Sequence, residues 1–243
     1  MVRLSERLEK IAGFVSPGMR AADIGTDHGY IPIYLIQNGI SPYVIASDIN
    51  TGPLEKMEEN LKKHMGDDRK GIIMRHGPGL EVLEPGEADA VVIAGMGGLL
   101  IEEILEKDPE RTNSVKRFIL QPRNAPDKLR KWLLEKGFRI TDEVLARESR
   151  FVWEIICAEP GFGAEAKKEY FSGNPEQYLA GQHIIRNSDP LLGEFISNKI
   201  RIEREIAENA GKSGSDGAAA QKRAAEERIK TLEGIMEYVD KQK

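Results

Sequence analysis

Cysteine is nearly absent: Cys157 stands alone in 243 residues, so no intrachain disulfide can staple the fold. The four histidines, His28, His64, His76 and His183, are scattered and offer no ligand pair at zinc-finger spacing. No metal is therefore expected. Aromatic residues make up only 6% of the chain, and no run of about 18 apolar residues occurs, so the sequence predicts no helical membrane span. The opening MVRLSERLEK is charged and amphipathic and lacks the apolar centre of a secretory signal, which points to a cytoplasmic address. Neither sign of charge dominates: 35 basic and 40 acidic residues leave a net charge of −5. An apolar share of 40% is ordinary for a globular chain and excludes wholesale disorder.

What is present is unevenly distributed. Residues 1–110 carry a net −8, whereas residues 111–150 carry a net +6. A concentrated basic segment in an acidic protein suits a phosphate backbone, although the same side chains could simply solvate a helix face. Short apolar runs at 20–24, 44–48, 72–75, 90–94 and 118–121 lack strict alternation, as strands buried on both faces do. Helical patterns at 30–38, 53–64, 97–107 and 126–136 fit between them, and this alternation predicts a parallel sheet covered on both sides. Two further strands, 139–145 and 151–158, are separated only by a short turn and read as an antiparallel edge pair. By analogy this is the outline of a class I, Rossmann-like methyltransferase domain over residues 1–160.

Beyond Pro160 the pattern changes. Loop signals at Gly161–Gly163 and Gly173–Pro175 surround a short helix. Leu192, Phe195, Lys199, Ile202, Ile206 and Asn209 then recur at helical spacing, as do Ala225, Ile229, Leu232, Met236 and Val239, with GKSGSDG (211–217) between the two series. They predict an antiparallel, coiled-coil-like helical hairpin within a second domain, 161–243.

Chemistry concentrates at the ends of the predicted strands. In Ala22-Asp23-Ile24-Gly25-Thr26-Asp27-His28-Gly29, Gly25 permits a tight turn and Gly29 lets a helix begin close to a ligand. Asp23 can hold this loop or meet an ammonium group. Asp48 closes the second strand, where an acidic side chain accepts from ribose hydroxyls, or else caps the next helix. The glycines are misplaced for a pyrophosphate, so S-adenosylmethionine (SAM) fits this pair of features better than NAD. Gly95-Met96-Gly97-Gly98 lets a ligand approach the backbone after the fourth strand. This loop lacks the Asn/Asp-Pro-Pro-aromatic sequence common in methyltransferases of exocyclic amines, which favours a ring nitrogen, an oxygen or a carbon as acceptor. Gln121, Arg123 and Asn124 follow the fifth strand at the carboxyl edge, where ligands of such folds bind, and Arg117, Lys128, Arg130 and Lys131 lie nearby in sequence.

With these residues in place, the chain resembles the bacterial tRNA (adenine-22-N1)-methyltransferases. The resemblance rests on LSERL (4–8), ADIGTDHGYIPIYL (22–35), ASDINTGPLE (46–55), GPGLEVL (77–83), VVIAGMGGLLI (91–101), LQPRN (120–124), LRKWL (129–133) and the terminal hairpin. It implies methyl transfer from SAM to N1 of an adenine in tRNA. By motif match it implies that Gly25, Asp27, His28, Gly29, Asp48, Ile49, Gly79, Leu80 and Gly95 line the cofactor site, with Asp27 near the reacting centre. Gln121, Arg123, Asn124, Lys128 and Lys131 are expected to meet RNA, and a monomer is favoured. Pro78 departs from the family, which usually has an acidic or amide residue before Gly-Leu, so proline offers no side-chain acceptor there. The rival readings are a methyltransferase for another acceptor and a non-catalytic SAM- or RNA-binding protein.

Overall fold

The computed structural model describes all residues except 67, 173–176, 213–214 and 242–243. It falls into two compact units, Met1–Ser172 and Gly173–Lys243.

The first unit runs α1 (Glu6–Gly13), β1 (Ala21–Ile24), α2 (Tyr30–Gln37), β2 (Val44–Asp48), α3 (Thr51–Met65) and β3 (Ile72–His76). A 3-10 turn, Gly79–Val82, leads to β4 (Ala90–Met96), α4 (Gly98–Lys107), α5 (Pro109–Ser114), β5 (Arg117–Pro122) and α6 (Pro126–Glu135). It closes with β6 (Arg139–Glu148), β7 (Phe151–Glu159) and α7 (Glu165–Tyr170). The seven strands form one sheet in the order β3-β2-β1-β4-β5-β7-β6. β1 to β5 pair in parallel, and β7 is antiparallel to both β5 and β6. The order reverses between β1 and β4, and ligands of doubly wound sheets bind outside the carboxyl ends of strands at such a reversal.

Every residue of β1 is buried, as is nearly all of β2, because helices cover both faces of the sheet centre. Ile11 and Ala12 of α1, Ile31 and Leu35 of α2, and Val44, Val92, Ile119 and Ile155 of the strands share one core cluster. α1 lies outside the helical patterns read from the sequence. It is short, with Ser5 as its cap accepting from the Leu8 amide and Glu6 and Glu9 in its first turn.

The boundary between units lies later than 160. α7 stays with the sheet because the Tyr170 hydroxyl donates to Glu143 at 2.7 Å. Glu143 and Glu154 in turn hold the fully buried Arg130 of α6.

The second unit contains α8 (Gln182–Arg186), α9 (Leu192–Gly211) and α10 (Asp216–Asp240), the last two forming the hairpin. The expected loop at 173–175 lies outside the described residues, as does part of the one at 211–217. The α9 seam differs from the expected one. Ile196, Ile200, Ala207 and Ala210 are buried, whereas Ile202 is 47% exposed. Leu192 and Phe195 of the expected series are buried, but from Lys199 onward the series leaves the contact face, and small alanines complete the true stripe. Ala225, Leu232 and Val239 of α10 are buried as expected, with Ile235 added. No described helix is long and apolar enough to cross a membrane.

Candidate active site

The turn after β1 carries the sharpest local constraints. The amides of Gly25 and Thr26 both donate to the Ser47 carbonyl, at 2.8 and 2.9 Å, which ties the turn to β2. Gly25 has φ +76° and Gly29, the cap of α2, has φ +70°, conformations that favour glycine. A Cβ on Gly29 would lie 2.4 Å from Met57 Cγ. Below this turn opens a cavity of about 690 Å³, lined by Asp23, Gly25, Thr26, Asp27, His28, Gly29, Asp48, Gly95 and Arg123 among others. Residues from the first, second, fourth and fifth strand ends thus converge on one cavity, with Arg123, expected at RNA, among them.

The cavity holds polar groups that want a partner. Asp23 is buried, and burial pushes its carboxyl up to about 6; the Thr26 side chain holds it down somewhat, and the Asp48 charge adds to the rise. The Thr26 hydroxyl is itself buried and makes no hydrogen bond of normal geometry among the described residues. A ligand with a cationic donor would relieve this wall, so the residues fit the aminoacyl end of SAM. Asp48 uses Oδ1 to accept from the Asn50 amide at 2.7 Å and side chain at 3.2 Å. The cap of α3 is Asn50, so Asp48 is not held by capping, and its bonds to Asn50 use Oδ1 alone. Asp27 is likewise no helix cap, since Gly29 fills that position without a side-chain bond. Its carboxylate is 75% exposed, 3.4 Å from His28 Nε2.

A second, more apolar cavity of about 320 Å³ adjoins the first, bounded by Ile49, Pro78, Gly79, Leu80, Leu100 and Ile104. Its dimensions and lining suit a purine ring. Leu80 is buried and contributes only an edge, whereas Ile49 is 61% exposed. Gly25 and Met96 line both cavities. The Met96 side chain lies across Gly25, where a Cβ would meet its Cε at 2.0 Å.

The Gly95–Gly98 run does less for ligand access than expected. Gly95 sits at a bulge with φ +78° and faces the Arg123 guanidinium. Gly97 packs on the Asn124 side chain, and a Cβ on Gly98 would lie 2.7 Å from the Ala125 carbonyl oxygen and 2.8 Å from that of Asn124. These two glycines seat the turn that carries Arg123. Gly98→Ala should therefore cost about 1–3 kcal/mol of stability, because backbone must shift. Gly97→Ala, which meets only a side chain, should cost less. Thermal unfolding of the two variants checks this order.

The basic segment is thinner at the surface than its charge suggests. Arg130 is buried between two glutamates, Arg117 pairs with Glu159, and Lys136 pairs with Glu106. Gln121 is also misplaced as an RNA contact. It is 1% exposed and accepts from Arg7 at 3.1 Å and from the Gly95 amide at 3.2 Å. Its role is to fix the Gly95 bulge. Asn124 accepts from the Gly98 amide at 3.3 Å and stays exposed. Arg123, Lys128 and Lys131 are exposed, Lys131 with only a 3.8 Å contact to Glu135.

Sequence reasoning missed the N-terminal wall. Arg3, Ser5, Arg7 and Glu148 all line the larger cavity. Ser5 donates to Glu148 at 2.5 Å and Arg7 at 2.8 Å. Burial raises the Glu148 pKa, but these hydrogen bonds outweigh it and hold the group below its usual value. The signal was LSERL itself, a serine cap with an arginine two residues on.

A doubly wound sheet ending in an antiparallel pair, with a glycine turn and an acidic strand end around a nucleoside-sized cavity, defines a methyltransferase. Residues 4–156 match the family model of the methyltransferase domain. The chain is 38% identical over 160 residues, 66% of this chain and 66% of the relative, to the tRNA (adenine(22)-N(1))-methyltransferase of Bacillus subtilis (strain 168). The crystal structure of the B. subtilis m1A22 tRNA methyltransferase TrmK superposes with a TM-score of 0.83 at 29% identity, covering 97% of this chain and 99% of that one. A Streptococcus pneumoniae putative tRNA (m1A22) methyltransferase in complex with SAM gives 0.75 at 28% identity, covering 96% and 99%. The chain belongs to the family of the tRNA (adenine(22)-N1)-methyltransferases.

Proposed function

We propose that this chain transfers a methyl group from SAM to N1 of adenine 22 in tRNA. The observation that carries the reading is the pair of adjoining cavities beneath Gly25, one walled by the buried Asp23 carboxyl and the Thr26 hydroxyl and one apolar. Both are built from Met1–Ser172, so one chain completes the site, which supports a monomer. A tRNA substrate supports a cytoplasmic address. Among the described residues no His/Cys/Asp/Glu group could hold a metal, and the reaction as proposed uses none.

SAM supplies an electrophilic methyl group on a sulfonium, which the N1 lone pair of adenine can accept in one displacement. The chain's work is therefore alignment and charge stabilisation. Asp23 holds the ammonium end, Asp48 accepts from ribose hydroxyls, and Ile49 with Pro78–Leu80 flanks the cofactor's purine. Pro78 has neither an N–H nor a side-chain acceptor, so purine selectivity there falls to shape and backbone. Asp27 accepts from the N6 amino group of the target adenine and offsets the positive charge that develops on its ring. The target base is stacked in folded tRNA and has to be turned out to reach the cavity. Arg123, Lys128 and Lys131 hold phosphates.

Methyl-labelled SAM should label purified tRNA and leave lysate protein unlabelled; label in protein alone would defeat the reading. Replacing Arg123, Lys128 and Lys131 by Gln should lower the salt dependence of tRNA binding by about one ion per lost phosphate contact. An unchanged slope would assign these side chains to a merely solvated face.

A further inference from the structure

The loop after β4 contains no aromatic residue, so it offers no ring against an RNA base. Aromatic surface instead stands at the tip of the β6–β7 hairpin. Leu120 pairs with Ile156 in antiparallel register, so residues 151–155 of β7 run past the end of that pairing towards the carboxyl edge. Phe151 lies opposite Glu148, which lines the larger cavity, and Trp153 lies opposite Ala146. Strand alternation places Phe151 and Trp153 on one face, the face on which Ile155 packs with α1. Their ring centroids are 5.6 Å apart, and the Arg150 guanidinium sits 5.0 Å from the Phe151 ring centre. Phe151 is 49% exposed, so its ring is open to a partner.

The charges around this ring point to the occupant. Most arginines of the unit are neutralised, as in Arg20–Asp89, Arg75–Glu87 and Arg117–Glu159. Arg3 and Arg123 on the cavity rim, and Arg150 at the hairpin tip, form no ion pair within 4 Å among the described residues, although Arg123 lies near enough to Glu148 to help lower its pKa. An aromatic pair with the Arg150 guanidinium beside it, next to a cavity that carries Arg3 and Arg123, is complementary to a nucleobase on a phosphate backbone.

We propose that Phe151 and Trp153, with Arg150, form a stacking platform for an RNA base adjoining the target adenine. Turning the target base out of its stack bares a face of its neighbour, and the platform, next to the cavity across Glu148, covers it. The proposal rests on the tRNA reading above.

The test compares Phe151→Leu, which keeps apolar bulk and removes the ring, with Phe151→Tyr, which restores a ring, using steady-state methylation of tRNA. Phe151→Leu should raise the KM for tRNA by about 10-fold. Its kcat should stay near that of the wild type, as should its SAM affinity by calorimetry, and Phe151→Tyr should recover the KM. A Phe151→Leu KM within twofold of the wild type, with the wild type methylating tRNA normally, would overturn the platform alone. A wild-type enzyme that leaves tRNA unmethylated would overturn the tRNA reading and the platform with it.

Discussion

Asp27→Asn should bind SAM with near-normal affinity and lose about a hundredfold in single-turnover transfer to tRNA. The substitution keeps shape and removes charge. The wild-type carboxylate faces the cavity between Gly25 and Gly29, caps no helix, and has the neighbouring His28 ring 3.4 Å away. It is therefore available to the incoming base. In the free protein it is largely in water, where a carboxylate gains little from a nearby cation. Docked RNA would exclude that water and strengthen its interaction with the developing adeninium. Losing such an electrostatic contribution costs on the order of 3 kcal/mol of transition-state stabilisation. Rapid-quench measurement at saturating SAM and tRNA separates this loss from weaker binding. Wild-type turnover by the variant would remove Asp27 from catalysis.

Asp23→Asn should move two observables in opposite directions. Burial raises the Asp23 pKa from 3.8 to about 6, so ionising it in the folded protein costs about 3 kcal/mol relative to the unfolded chain. The sign follows from proton uptake. Between the unfolded value near 4 and the folded value near 6, the folded state binds the extra proton, so its stability falls as pH rises through that window. Above it the full cost remains. Asparagine escapes the cost, and the ligand-free variant should melt several degrees higher at neutral pH. The same change removes the carboxylate opposite the cofactor's ammonium group, and SAM affinity should fall roughly 30-fold, about 2 kcal/mol. Wild-type affinity should also weaken as pH drops below about 6, a dependence the variant should lack. Calorimetry and thermal unfolding across pH 5–8 decide both points. A variant that is less stable and binds SAM normally would make Asp23 a support of the loop rather than a ligand.

The parallel core was legible because five apolar runs each ended in a chemically marked turn. β2 matches its expected span, and β1 differs by one residue at its start. β4 extends through Met96 because the Gly95 bulge lets pairing resume at Pro122. β6 and β7 are longer than expected, to Glu148 and Glu159, since each has the other to pair with throughout. Cavity placement of Gly25, Asp27, His28, Gly29, Asp48 and Gly95 follows from strand ends meeting at one edge. Residue type alone could not say which polar side chains are consumed inside. Gln121 and Arg130 read as surface donors, yet both are buried in internal bonds. Nor could local pattern reveal that Glu148, more than a hundred residues from Arg7, completes the same wall. That contact is purely tertiary.

The central claim is most directly tested by digesting unmodified tRNA to nucleosides after incubation with this protein and SAM, and by mapping the modified position by mass spectrometry. The account predicts 1-methyladenosine at position 22 and no other new methylated nucleoside. Methylation on N6 of adenine, on another base, or at no tRNA position would contradict it.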